Sequence, residues 1–539
     1  MSEHDLENGT GGQNGLTRRE MIRILGAGAL ATLLPGAALS ADKSGARKGQ
    51  AHPGAFETAK GPGIIFVVGD GMPAGVIRAM HEVRTGVFGH TGSALHARMR
   101  DRQTSLGLMA TASLSSIVTD SAPASVAWST GVKTANRYLA ALPDGRKLTT
   151  IFELVKPRGV ATGVVTTTRV THATPAAWLS HQSHRDNEDD IALEYLVFRP
   201  DVILGGGLNH FSPKKRKDGR DLLAEFAKAG YDTATDRSGL LGLESAAKPL
   251  IGLFNGSHVA YNVDRVNDPA LSAAQPTLPE MTAEALRRLS RNPGGFLLQV
   301  EAGRIDHASH SNDAWGAIMD ALELDDTLAV IDEFLKVNPK TLVVVTSDHG
   351  NSGWGVNGTG PDYNDATAAL RSLRAGKASF EVLIKRMKGK DAKDIQALVE
   401  QATGFAISKD EAALVHRAMQ PGYQSFPGDF VYQPDATLGQ LLAHSAYPDK
   451  KGAPSVRRGN VGFTSCNHTA EDQLLLAYGH RAGELGLNRL VDNTALFGAM
   501  CAFFGLRHQN PAMTLAEARP HLLAAARTER EFDPWLHIA

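Results

Sequence analysis

Three short stretches of the chain combine residues able to do chemistry, and the first is Val118 to Thr134, which reads VTDSAPASVAWSTGVKT. Pro123 suits the first turn of a helix, which places Ser121 at the helix's amino end, where unpaired backbone N–H groups and the helix dipole favour a phosphate. A serine there is a candidate nucleophile, with Asp120 beside it. No lone serine attacks unaided and no nucleophile-elbow pattern surrounds it, so activation falls to a metal ion that lowers the hydroxyl pKa. Taken alone, a Ser beside an Asp before a helix is also an ordinary cap.

The second stretch, Glu301 to His310 (EAGRIDHASH), packs four potential ligands into one segment. Asp306 and His310, four residues apart, share a face if a helix begins here, a spacing that suits one metal ion, and Glu301 supplies a hard oxygen for another. The third, Thr346 to Gly350 (TSDHG), mixes a carboxylate and an imidazole, Asp348 and His349, as zinc sites do. Gly69-Asp70-Gly71-Met72 adds a carboxylate among glycines that admit close backbone approach, and Asn467-His468-Thr469 adds a late histidine.

These residues need a scaffold, and the sequence supplies one. Short apolar runs recur at Ile64–Val68, Val164–Thr168, Val202–Leu204, Phe296–Val300, Leu342–Thr346 and Leu474–Ala477. They are continuous rather than alternating, as in strands buried on both faces. Helical patterns lie between them, as at Thr282–Leu289 and Ala314–Val337, so the expected fold is α/β, a mostly parallel central sheet flanked by helices. Ligands in such sheets sit beyond the carboxyl ends of strands. Four of the runs are followed closely by candidates: Asp70; His172 and Thr174; Glu301; Asp348 and His349.

Between the site-like segments the pattern changes to charged helical stretches, Phe380–Met387, Ala392–Gln401 and Lys409–Met419, with Ser408 a cap before Glu411. The expected organisation is a catalytic core over 61–355 and 460–539 interrupted by a helical insertion or cap at 356–459.

Composition narrows the class. Apolar residues are 42%, and 56 basic residues nearly cancel 57 acidic ones, which argues against disorder and gives no reason to expect a nucleic-acid partner. Only Cys466 and Cys501 are present, so any metal is held by His and carboxylates. Whether the two cysteines pair or stay as buried thiols is open.

Together the segments resemble the alkaline phosphatase family, whose motifs they follow in order from Gly63 to Ala477. The resemblance implies a phosphomonoesterase acting through a phosphoserine on Ser121, with two zinc ions and one magnesium. It places Asp306, His310 and His468 on one zinc, Asp70, Asp348 and His349 on the second, and Asp70, Thr174 and Glu301 around magnesium. Arg185 corresponds to the arginine that clamps phosphate, while Asp120, His172 and His307 stand behind the ligands. Some members carry Asp and Lys where this chain has His172 and His307; others carry His at both. Members often have a second His two residues after the one matched by His349. Here that residue is Asn351, followed by Ser352-Gly353-Trp354-Gly355, a change expected at the pocket rim. A phosphodiesterase or sulfatase-like relative and a noncatalytic phosphate binder are the alternatives.

The chain opens with a transport pattern. Thr17-Arg18-Arg19-Glu20-Met21-Ile22-Arg23 precedes an apolar run, Ile24 to Leu34, too short to span a bilayer, and small residues at Ala38, Ser40 and Ala41 offer cleavage. The expectation is a twin-arginine signal over 1–41, a flexible leader over 42–60, export by the twin-arginine machinery to the periplasm or otherwise out of the cytoplasm, no stable membrane span, small phosphomonoester substrates, and a possible homodimer.

Overall fold

The computed structural model describes residues 56–420, 434–443 and 458–532, with side chains through residue 526. The signal segment, most of the leader and two parts of the insertion lie outside the described residues.

All six apolar runs are strands of one ten-stranded sheet. In chain order the fourteen strands among the described residues are β1 Gly63–Gly69, β2 Ser105–Ala110, β3 Ala161–Arg169, β4 Val202–Gly206, β5 Asp232–Ala234, β6 Leu250–Leu253, β7 Phe296–Ala302, β8 Thr341–Thr346, β9 Gly350–Asn351, β10 Gly355–Val356, β11 Val461–Gly462, β12 His468–Thr469, β13 Gln473–Gly479 and β14 Leu490–Asp492. The main sheet runs β14-β2-β13-β8-β1-β7-β3-β4-β6-β5. Its pairings are parallel except those of β13, which runs antiparallel to both β2 and β8.

The continuous apolar character of β1 follows from this position: Ile65 and Val67 enter the core on one side of the sheet, Ile64, Phe66 and Val68 the core on the other. Parallel register then gathers chemistry at one edge. Val68 lies opposite both Glu301 and Thr346, and Thr166 opposite Glu301, so β8, β1, β7 and β3 release Asp348, Asp70, Asp306 and His172 side by side.

The helix Ala314–Val337 has its expected limits, and the second helix begins earlier than expected, at Leu278, because Thr277 and Glu280 form a capping box. Ser408 and Glu411 form another, as expected. The described helices of 356–459 pack on the core: Ser379 donates to Asp264 through N (2.8 Å) and Oγ (2.6 Å), Phe380 N donates to Asp313 (2.8 Å), and Arg304 pairs with Glu381 (2.5 Å). Residues Phe56–Lys60, expected as the end of a flexible leader, are docked instead. The Phe56 ring meets Phe334 edge-on at 5.2 Å, and Lys60 N donates to Ser290 O at 2.9 Å, because an aromatic ring reaches the core there.

Candidate metal and phosphate site

The helix Ser121–Thr130 is buried along its whole length, capped by Asp120, whose carboxylate accepts from Ala122 N at 2.7 Å. Ser121 is therefore the first helical residue. Its Oγ stands 3.3 Å from His349 Nε2.

Helix Arg304–His310 does bring Asp306 and His310 to one face, and the short strand β12 delivers His468 to meet them. The two imidazoles face each other Nε2 to Nε2 at 3.0 Å. Each has its Nδ1 against a backbone carbonyl, His310 on Cys466 (2.5 Å) and His468 on Thr119 (2.9 Å). Those bonds place the proton on Nδ1 and turn both Nε2 lone pairs toward one point, where Asp306 also lies, 3.4 Å from His310 Nε2 and 3.6 Å from His468 Nε2. Lone pairs and a carboxylate converging in this way fit a cation, with the carbonyls fixing the tautomers.

A second group lies alongside. His349 Nε2 is 3.0 Å from Asp348 Oδ2 and 3.7 Å from Asp70 Oδ1. Gly71 donates its N–H to Asp348 Oδ1 (2.9 Å), and its positive φ of 55° with the Asp306 side chain against its Cα leaves no place for a Cβ. Asp70, Glu301 and His172 make the third group, with Thr174 adjoining in sequence order. His349 bridges the first two, its ring stacked on His468 at 3.5 Å, and it belongs to both sets of ligand atoms lying within 4.8 Å of one another.

The chemistry of the donors fits metal ions. Both oxygens of Asp70, Asp348 Oδ2, Glu301 Oε1, Thr174 Oγ1 and His172 Nδ1 are buried without a hydrogen-bond partner. Burial, then Asp348, Asp306 and Glu301, push the Asp70 carboxyl well above its ordinary range, and burial raises Glu301 too. Against its own burial, Asp306 is held well below the range by His310, His468 and His349. Burial and then His349 bring His468 down to about 3. Clustered carboxylates without hydrogen-bond partners are what cations would neutralise.

On the other side of Ser121, Arg185 Nη1 approaches Asp120 Oδ1 at 3.5 Å, and its Nη2 donates to His172 Nε2 at 2.9 Å. Burial works against the Arg185 charge, but Asp120, then Asp186, Asp70 and Asp306, carry its pKa above the usual value. His307 accepts from Arg304 Nη1 through Nδ1 at 2.7 Å. Burial, then a neighbouring guanidinium (Arg185 for His172, Arg304 for His307), hold both imidazoles neutral.

One participant escaped the sequence reading, and a second is placed differently from it. His258 completes a triangle of rings with His172 (5.7 Å) and His307 (4.4 Å), carried on a loop without a motif. Asn351 is not on a rim: it is wholly buried, and its Nδ2 donates to Asp306 Oδ1 at 2.6 Å. The β9–β12 pairing sets His468 opposite Asn351 and turns that amide inward.

Comparison with known proteins agrees with this geometry. The sequence profile of the family described as alkaline phosphatase matches residues 62–506. "Alkaline phosphatase 4" of Bacillus subtilis (strain 168) is 31% identical over 440 residues, covering 80% of this chain and 86% of that protein. "Alkaline phosphatase 3" of the same organism is 32% identical over 368 residues, 67% of this chain and 72% of the relative. The crystal structure of Thermus thermophilus alkaline phosphatase superposes with a TM-score of 0.79 at 35% identity, over 92% of this chain and 100% of the other.

Proposed function

This chain belongs to the alkaline phosphatase family and hydrolyses phosphate monoesters, and from that premise we propose that it does so through a phosphoserine on Ser121, with two zinc ions and one magnesium bound. The observation that carries the reading is Ser121 Oγ, 3.3 Å from His349 Nε2, beside the unpartnered oxygens of Asp70, Asp348 and Glu301.

Asp306, His310 and His468 would hold one zinc, Asp70, Asp348 and His349 the second, and Asp70, Thr174 and Glu301 the magnesium. When bound, such ions supply positive charge that stabilises attacking and leaving oxygens and eases ionisation of a hydroxyl. The residues do the rest. The buried helix fixes Ser121 with its amino end toward the phosphate, and Arg185 offers two N–H groups to nonbridging oxygens. Ser121 Oγ bonds to phosphorus, giving up its proton, and the ester oxygen departs with the bonding pair as alcohol. Water then adds to phosphorus, the Ser121 P–O bond breaks, and serine and inorganic phosphate are restored. A diester has one fewer charged oxygen for Arg185 and the cations to engage, which favours monoesters.

Three further readings go with this. The arginine pair Arg18-Arg19 directs export by the twin-arginine machinery to the periplasm. Among the described residues no helix is long and apolar enough to cross a membrane. A homodimer is supported by an uncovered apolar strip at the sheet's end: Leu106, Leu108 and Leu490 are 45%, 46% and 58% exposed, with Leu490 directly opposite Leu108.

The deciding experiment is turnover of a chromogenic phosphomonoester and its diester by the purified protein, with and without chelation. Monoester preference, loss on chelation and recovery with zinc plus magnesium are expected. Turnover that survives complete metal removal refutes the metal assignment.

A further inference from the structure

Beside the nucleophile the chain places an arginine in a conformation that side chains avoid. Arg137 has φ of 76°, and Ala140, three residues on, has φ of 36°. A non-glycine residue in this region is held against its intrinsic steric preference. Two anchors hold it. The backbone N–H of Arg137 donates to Asp120 Oδ2 at 2.7 Å, and Leu139 and Gln182 exchange N–H···O bonds of 2.9 Å each, locking this turn to the loop that ends in Arg185.

The result is a closed ring of contacts around the cap of the nucleophile helix. Asp120 uses one oxygen for the Arg137 backbone and the other for Arg185. The Arg137 guanidinium turns to His184, the residue before Arg185, donating from Nη1 to Nε2 at 3.1 Å. Among the described residues no carboxylate pairs with that guanidinium, although it is as half-buried as Arg185. Elsewhere the half-buried arginines of this chain do find acids, as Arg98 finds Asp332 and Arg237 finds Glu280. An arginine fork without a counter-ion, next to the phosphate clamp, has donors left for a second anion.

We propose that Arg137 is a specificity-determining residue, which binds a second phosphoryl group on the leaving portion of the substrate, so that organic bisphosphates are preferred to esters of neutral alcohols. This rests on the monoesterase reading above and adds to it a substrate class.

The test compares three esters of matched length: propyl phosphate, propanediol bisphosphate, and the phosphate ester of hydroxypropionic acid, whose second anion is a carboxylate. Phosphate release gives kcat/KM for each, in the native protein and in Arg137→Gly, Arg137→Ala and Arg137→Lys. Glycine suits the positive φ and keeps the N–H to Asp120, so it separates the side chain from the turn. The native enzyme is expected to favour the bisphosphate over propyl phosphate by roughly 10-fold, through a lower KM, as one charge-assisted contact would give. The ratio should collapse toward one in the glycine and alanine variants, persist in part in lysine, and shrink with added salt. A ratio that is the same in all four proteins while propyl phosphate is turned over refutes the proposal alone. No turnover of any ester by the metal-loaded native enzyme refutes the hydrolase reading and this proposal with it. Equal gains for carboxylate and bisphosphate would overturn the phosphoryl preference in favour of a general second-anion site.

Discussion

Asn351 Nδ2 lies 2.6 Å from Asp306 Oδ1, inside a site whose other polar contacts come mostly from backbone and histidine. The amide is itself fixed, since its Oδ1 accepts from Ser352 Oγ at 2.5 Å. A neutral donor on a carboxylate proposed as a ligand orients it while leaving its charge for a cation. Asn351→Ala should weaken zinc retention by roughly 10- to 100-fold, the usual effect of losing a partner behind a ligand. Competition against a chromogenic chelator reads this directly, and native-like retention would show that Asn351 only fills space.

Ser121→Ala should abolish the acid-stable phosphoprotein while metal content stays near that of the native enzyme, because none of the proposed ligands is on that helix. Rapid acid quench with labelled phosphomonoester, followed by peptide mapping, is the measurement. Recovery of the same phosphopeptide from the variant would assign the nucleophile elsewhere.

For His172 the expectation concerns magnesium. Its Nε2 is already engaged by Arg185 at 2.9 Å, and the imidazole is neutral, so it brings no negative charge to the Asp70–Glu301 group. His172→Asp should tighten magnesium and reduce its stimulation of turnover, and should also draw Arg185 into an ion pair, raising KM for phosphomonoesters. Magnesium titration of both proteins at fixed zinc decides it: superimposable curves contradict any role for His172 in holding magnesium.

Both cysteines are free and buried, with burial pushing Cys466 up to about 12 and Cys501 up to about 11. Thiolate is scarce below such values, so two thiols per chain should resist iodoacetamide near neutral pH and react on unfolding. Mass spectrometry of non-reduced protein showing a Cys466–Cys501 bridge would contradict this.

His181 gives a pH dependence away from the metals. Its Nδ1 meets Ala140 O at 2.9 Å and its Nε2 meets Glu153 at 3.0 Å, so both nitrogens donate when it is charged. Burial opposes that charge, but Glu153 and the Ala140 carbonyl raise the pKa above 6.5. The folded state therefore holds the proton more tightly than the unfolded one. The stabilisation is full below pH 6.5 and is lost as pH rises through the folded value. Thermal melting should show a decline toward alkaline pH, worth below about 1 kcal/mol because Glu153 is partly exposed, and His181→Gln should flatten it. An equally steep decline in the variant would assign it to other groups.

What the sequence reveals, and what it hides, divides along locality. Strands β1, β3, β7 and β8 are legible because burial on both faces makes them continuously apolar, and Asp306 with His310 because four residues is one helical turn. Strand β2 is not, since Leu106 and Leu108 face solvent at the sheet's end while Met109 is buried, a pattern no different from a loop. The inward turn of Asn351 depends on its pairing with His468, more than a hundred residues away in sequence, and His258 approaches His307 only through tertiary packing. The fit of Arg137 to its turn is hidden for the same reason: nothing in Asn136-Arg137-Tyr138 announces a left-handed residue, because the anchor is Asp120 on the preceding helix cap.

The antiparallel strand β13 has a consequence for biosynthesis. Strand β2 is made early, yet its neighbours in the sheet are β13 and β14, both near the end of the chain. Thr119, whose carbonyl orients His468, waits for a partner 349 residues further on. A ribosome must therefore deliver nearly the whole polypeptide before the sheet can close. During that interval Met109 of β2 lacks its cover and Asp306 and His310 lack His468, whereas the other two ligand sets, Asp70 with Asp348 and His349 and Asp70 with Thr174 and Glu301, lie wholly upstream. Translation pauses or truncations upstream of His468 should thus yield species that bind holdase chaperones and never a partly active enzyme.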